Sequence, residues 1–214
     1  MLDVSEKAAS HPAGQAAITT ITGWDDEVYR RIAGYRTPIL DRTLRPLTKA
    51  ANNSVLWFTI AAATAALGGV RGRRAALAGV TAIGIASGTV NQVFKRLAPR
   101  GRPDREGAAV PQQRHVPMPE STSFPSGHSA SAFAFATAAS SELPALAPLL
   151  FPLAAAVAYS RTYVGVHHPS DVVVGSAFGV FAGGLGRYAA DRVSDRVAKI
   201  GAGRPDCGAT GSAD

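Results

Sequence analysis

The sequence predicts an all-α fold, a membrane-embedded bundle of about five transmembrane helices preceded by an amphipathic helical region. Three observations carry that expectation. Five segments, 55–70, 75–94, 129–141, 145–159 and 172–186, contain no Asp, Glu, Lys or Arg at all. Charge at mid-bilayer costs about 2.5–3.5 kcal/mol on insertion scales, so this partition is what a bilayer imposes. Second, Gly175, Gly179 and Gly183 recur every fourth residue, as do Gly84 and Gly88. In a soluble helix each would cost about 1 kcal/mol against alanine, whereas in a membrane helix small residues at this spacing let two backbones approach. Third, Trp24, Val28, Ile32, Tyr35 and Ile39 follow one another at roughly helical spacing among Arg30, Arg31, Arg36, Arg42 and Arg45. That mixture suits helices lying in the interface.

Taken in order, residues 1–23 form a polar N-terminal tail. They lack a basic start followed by an apolar run and a small-residue cleavage site, so no signal peptide is expected. Residues 24–54 read as amphipathic interfacial helices, broken near Pro38 and Pro46. The core spans 55–190. Only segment 75–94 reaches the roughly 20 apolar residues that a span needs. The first and last segments would recruit flanking residues such as Asn53-Ser54 or Arg187. Residues 191–214 begin basic and end rich in Gly, Pro and Ala, a composition expected to be disordered. The single cysteine, Cys207, excludes an internal disulfide and reads as an incidental thiol.

A net charge of +7 raises the question of nucleic acid. The basic residues, however, sit at the ends of apolar segments and within the motifs described next. Aromatics, at 7%, are too few for an interleaved stacking surface. Membrane lipids, not nucleic acid, are the expected partners.

Three clusters carry the chemistry: Lys95-x6-Arg102-Pro103, Pro125-Ser126-Gly127-His128, and Ser160-Arg161-x5-His167-x3-Asp171. Lys95, Arg102 and Arg161 form a candidate phosphate clamp, the arginines offering planar forks that match phosphate oxygens. Arg96, Arg100, Arg105 and Arg114 in the same loop read as ordinary interfacial basic residues. Ser126 and Gly127 open an apolar segment, where a helix start presents free N–H groups; glycine lets the backbone come close, and Ser126 can add a hydroxyl donor or simply cap the helix. His128 follows one step in. Pro169 suits a first helical turn, so His167 is expected just before the helix and Asp171 near its N-terminus. From there the carboxylate can reach an imidazole nitrogen and fix its tautomer. His168 reads as a neighbour at headgroup level. The histidines are not in a metal-ligand array, cysteine ligands are absent, and three cations would repel a divalent ion, so neither a metal nor another cofactor is expected.

With these three blocks in this order, the chain resembles the type 2 phosphatidic acid phosphatase superfamily, which includes the vanadium haloperoxidases, over roughly residues 55–190. The resemblance implies an integral membrane lipid phosphatase acting on a lipid phosphate monoester such as phosphatidic acid. It also implies a mechanism: His167 is the nucleophile that becomes phosphohistidine, and His128 is first acid, then base. A polyprenyl (pyro)phosphate or polyprenyl sugar-phosphate is the alternative substrate class. A haloperoxidase is disfavoured by the apolar segments, because known members are soluble.

With five spans, all three clusters fall on one face of a multi-pass protein, expected in the cell membrane. Lys and Arg number 14 on that face (7 before the first span, 6 between Lys95 and Arg114, and Arg161) and 8 on the other. The positive-inside tendency alone would make that face cytoplasmic. Setting aside the three clamp cations leaves 11 against 8. The short basic loop Arg71-Gly72-Arg73-Arg74 and the resemblance both favour an outer-face site, which is the expectation adopted here.

Overall fold

In a computed structural model the structure describes residues 12–35 and 37–202. Seven α-helices of more than one turn occupy them, with no strand among the described residues. Helix α1 is Pro12–Gly34, α2 is Pro38–Ala50, and a 3-10 turn at Asn52–Ser54 leads into α3, Val55–Leu67. Helix α4, Gly69–Thr89, runs through a π turn at Val90–Phe94 into Lys95–Leu97. A long loop follows, then α5 at Gly127–Glu142, α6 at Ala147–Tyr163 and α7 at Pro169–Ala202.

Helix α5 is the centre of the bundle and packs against α4, α6 and α7. Ten of its sixteen residues are buried, most of them Ala or Ser. Small side chains here let the neighbours come close. A Cβ on Gly175 would lie 2.5 Å from the carbonyl oxygen of Ser126, one on Gly183 would lie 2.6 Å from Cβ of Thr137, and one on Gly179 would strike the carbonyl of Ala130. The glycine repeat of α7 is therefore a packing groove for α5. Gly84 and Gly88 behave otherwise: nothing lies within 4 Å of a Cβ built on either, so their spacing serves no contact.

The bundle is small inside and large outside. Its interior is mainly Ala75, Ala78, Ala82, Ala86, Ala130, Ala134 and Ala138, with Trp57 against Phe135, and also Leu150 and Tyr163, among the bulkier exceptions. Leu67, Leu77, Phe151, Val173, Val180, Phe181 and Leu185 point outward. Only 28% to 39% of the most apolar windows is buried by protein. Water would expel such a surface, while lipid tails accept it. This is an integral membrane protein.

Three helices are long and apolar enough to cross a membrane (Gly69–Leu97, Pro144–Tyr163 and Pro169–Val193), or four if the pair bent by 65° at Ala51 is one span. By this measure the expected five are not reached. Helix α3 has 13 residues and α5 has 16, and α5 is wrapped by protein, so its length need not match the bilayer.

The N-terminal region departs from expectation in three ways. Helix starts at Pro12, within the stretch read as a tail. The chain breaks before Pro38, but Pro46 lies inside α2 without ending it. Pro38 stands in the first turn, where its missing N–H is not needed; around Pro46, buried Leu44 and Thr48 hold the helix onto α6. The face that docks is also not the apolar stripe. Trp24, Tyr35 and Ile39 are half or more exposed, while Asp25, Tyr29 and Ala33 are buried, the last two against Val110. Arg114 is no interfacial flank either. It is 1% exposed, pairs with Asp41 at 2.6 Å, donates to the carbonyls of Ala33 and Tyr35 at the end of α1, and stacks 4.1 Å from the Tyr163 ring centroid. There it satisfies carbonyls that a helix end leaves open. Residues 1–11, the tail beyond 202 and Cys207 lie outside the described residues.

Candidate active site

One end of the bundle gathers the end of α4, the start of α5, the end of α6 and the start of α7 around a cavity of about 240 Å³. Six residues singled out from the sequence line it: Lys95, Arg102, Gly127, His128, Arg161 and His167. Asp171 lies behind His167 at 0% exposure, and Ser126 is buried as well.

Local structure explains each placement. The π turn just before Lys95 inserts a residue into α4, a distortion that often marks functional sites, and Asn91 within it also lines the cavity. Helix α6 ends in a Schellman motif: Gly165 N–H donates to the Thr162 carbonyl at 2.9 Å and Val166 N–H to that of Arg161 at 3.0 Å. Gly165 has φ +74°, and a Cβ on it would sit 2.8 Å from the Tyr29 hydroxyl, so both conformation and space require glycine. That sharp reversal brings Arg161 and His167 to the same cavity. Pro169 is the first residue of α7, as the sequence indicated, with His167 before it and Asp171 in the first turn.

The second motif is fixed to the third. Ser126 N–H donates to the Asp171 carbonyl at 3.0 Å. The Ser126 side chain caps α5, accepting from Ser129 N–H at 3.4 Å and Ser129 Oγ at 2.9 Å, and Ser126 is not on the cavity wall. Of the two roles open to it, capping is the one its surroundings display. Gly127 and the α5 N-terminus remain to face an anion.

The three clamp cations share one property. Among the described residues, none of them has a carboxylate in ion-pair contact. Lys95 donates to Ser121 Oγ at 3.0 Å; Arg102 donates to the carbonyls of Val166 at 2.7 Å and Ser121 at 3.0 Å. Arg161 donates to Thr48 Oγ1, and its Nε is buried without a partner. Arg100, by contrast, is neutralised by Asp25 and Asp171. The cavity thus concentrates positive charge that, among the described residues, no carboxylate meets in ion-pair contact and only Asp171 offsets at longer range, the electrostatics of an anion site.

His167 is 3% exposed, and its Nδ1 lies 3.4 Å from Asp171 Oδ2, an ion-pair contact long for a hydrogen bond. Contacts of this kind often tighten only when substrate binds. Burial pushes its pKa down to about 4, against the pull of the Asp171 carboxylate upward, with Arg161 adding to the fall. His167 is therefore neutral near pH 7. His128 turns Nε2 to within 2.9 Å of Asn52 Oδ1. Asn53 and Ser54, beside it, hold positive φ values of 50° and 59° and line the cavity, as does Ser131. Left-handed non-glycine residues clustered at a cavity are strained, at about 1 kcal/mol or more each.

Asn52, Asn91, Ser121 and Ser131 carry no spacing signature, and only the polar run Asn52-Asn53-Ser54 before an apolar segment hinted at any of them. Among the described residues no three His, Cys, Asp or Glu side chains converge as a metal site.

An α-helical membrane bundle with a cationic cavity and a buried His–Asp pair defines a class: an integral membrane protein with an anion-attracting cavity beside a histidine. The chain belongs to the PAP2 superfamily, whose profile matches residues 75–194. It is 40% identical over 95 residues to decaprenylphosphoryl-5-phosphoribose phosphatase of Mycobacterium tuberculosis, covering 44% of this chain and 49% of that protein. The chain thus spans about half the length of that relative. The protein of the same name from Mycolicibacterium smegmatis is 38% identical over 133 residues, covering 61% of this chain and 68% of that one. Lipid A 1-phosphatase of Rhizobium etli is 35% identical over 98 residues, covering 44% of this chain and 41% of that one. Among solved structures, LpxE of Aquifex aeolicus superposes with a TM-score of 0.60 at 26% identity, covering 75% of this chain and 92% of that one. The PAP2-type phosphatidylglycerolphosphate phosphatase of Bacillus subtilis gives 0.59 at 24% identity, covering 87% and 90%, a likeness of fold.

Proposed function

We propose that the protein is a metal-independent lipid phosphatase that hydrolyses a lipid phosphate monoester through a phosphohistidine. The observation that carries this is the cavity itself, where, among the described residues, Lys95, Arg102 and Arg161 have no carboxylate in ion-pair contact and two histidines face the same space. The three cations and the α5 N-terminus hold the non-bridging oxygens and spread the transition-state charge. With Nδ1–H directed at Asp171, Nε2 of His167 carries the lone pair that attacks phosphorus. The bond from phosphorus to the lipid oxygen breaks as His128 gives that oxygen a proton. Water, losing a proton to His128, then attacks phosphorus, the P–N bond breaks, and phosphate leaves. Asp171 orients and stabilises the imidazole without taking its proton.

Phosphatidic acid and polyprenyl-linked phosphates share this reacting group. The names of the mycobacterial relatives favour testing a polyprenyl sugar-phosphate beside phosphatidic acid. Phosphate release by detergent-purified protein across such a panel, with chelator present, is the test. Release sensitive to vanadate is expected; no release from any lipid phosphate overturns the reading, and activity lost to chelator but restored by magnesium overturns its metal-free part. The site lies on the outer face of the cell membrane in this proposal, which puts Cys207 in the cytoplasm. An impermeant maleimide should label it only after cells are opened, and labelling of intact cells reverses the orientation.

A further inference from the structure

The densest charge cluster outside the cavity lies directly beneath the His167–Asp171 pair. Asp25, on α1 and outside the residues matched to the family, is 0% exposed, as is Asp171. Arg100 bridges them: Nη2 donates to Asp25 Oδ2 at 2.7 Å and Nη1 to Asp171 Oδ1 at 2.8 Å. Asp25 also receives Ser170 N–H at 2.8 Å and Ser170 Oγ at 2.5 Å. It thereby supplies an anion to the N-terminus of α7 from another helix. We propose that Asp25 and Arg100 are positioning residues that aim Asp171 at His167, which makes the N-terminal helix a working part of the catalytic unit; this rests on the reading of His167 as nucleophile.

The physical argument starts from Asp171. Its Oδ2 accepts His168 N–H at 2.9 Å and faces both His167 Nδ1 at 3.4 Å and His168 Nδ1 at 3.5 Å, while its Oδ1 is taken by Arg100. With one oxygen pinned by a guanidinium, the carboxylate cannot rotate Oδ2 away from the imidazole. Arg100 in turn is held on both nitrogens: Nη1 also donates to Ser170 Oγ at 2.7 Å, and Nη2 is anchored by Asp25, the second carboxylate that keeps the fork bridging. A planar fork bridging two carboxylates has one orientation, whereas a fork with one partner can slide into a bidentate pair and draw that carboxylate off. One guanidinium between two buried carboxylates also leaves a single net negative charge to face His167. A helix that merely rode on the membrane surface would need no fully buried aspartate, since burying an unpaired carboxylate is costly.

The test uses the full-length protein in detergent with a short-chain phosphatidic acid. Asp25→Asn should lower kcat by about 10–100-fold, the scale of losing a partner one step removed from the reacting group. KM and the vanadate inhibition constant should stay within about two-fold, because the clamp is untouched. Arg100→Lys should retain more kcat than Arg100→Gln, and where Asp25→Asn does not fold this pair carries the comparison. Glu27→Gln, on the exposed side of the same helix, should behave as wild type. In an Asp171→Asn background, Asp25→Asn should cost no more than about two-fold further, since residues acting through one another are not additive. Wild-type kcat in Asp25→Asn overturns the proposal, as does an equal loss in both backgrounds, which is what simple docking of α1 would give. Should the wild type release no phosphate from any lipid phosphate, the proposed reaction fails, but positioning is still read from the His167 tautomer by 15N NMR. Mixed tautomers in Asp25→Asn support it, and an unchanged Nδ1–H form overturns it.

Discussion

His167 and His128 line one cavity, yet the protein holds them by different means. His167 precedes a helix, is 3% exposed, and has behind it a carboxylate that is itself tied to a backbone N–H and an arginine. His128 stands in the first turn of α5, is only half-buried, and meets one neutral amide, Asn52. The difference matches the role proposed for each nitrogen. A nucleophile needs one tautomer and one direction of attack, which a fixed carboxylate supplies. His128 has a neutral amide as its hydrogen-bond partner, while burial and the cavity cations Arg161, Lys95 and Arg102 push its pKa down, so the charge of a bound phosphate is what would let it carry a proton.

The sharpest way to break this contrast is to remove the proposed nucleophile. His167→Ala should abolish turnover and also the phosphoenzyme, read by rapid quench with labelled lipid phosphate. A phosphoenzyme that still forms would assign the nucleophile elsewhere, with His168 next in line. His128→Ala should slow both steps, but an activated leaving group should partly restore formation of the phosphoenzyme. Asp171→Asn should keep some activity while losing about 10²–10⁴-fold in kcat, the range for a disabled base or its orienter. It should also move the acid limb. In the wild type His167 becomes cationic, and unable to attack, as pH falls through about 4. Asp171 favours that cation, so removing its charge lowers the pKa and displaces the limb of kcat/KM to still lower pH. A limb displaced upward would mean that the carboxylate does not act on His167.

The parts of this site that were legible in the sequence are those set by local spacing. Lys95 and Arg102 flank a helix end, His128 opens a helix, and His167 and Asp171 straddle a proline, so chain geometry alone brings each near its place. Asp25, Arg100 and Asn52 were not legible because their partners lie 70 to 145 residues away. Arg100 differs from its interfacial neighbours only by what it meets in three dimensions. In α1 the apolar stripe misled for a physical reason. The docked face carries an aspartate whose burial is offset by an arginine and a helix N-terminus, and no hydrophobic period registers that. Length and composition leave the span count open at α5, since a helix enclosed by protein is released from the length that lipid demands.

The smallest expected effect sharpens the comparison most, because it separates orientation from protonation. Asn52→Ala removes the only hydrogen-bond partner shown for the His128 ring among the described residues. A neutral hydrogen bond contributes about 0.5–1.5 kcal/mol, so kcat should fall by about 2- to 13-fold at most. Because His128 serves both steps, phosphoenzyme formation and its hydrolysis should slow together in single-turnover measurements. If one step slows and the other does not, Asn52 favours one protonation state of His128. The two histidines would then be held by the same logic after all.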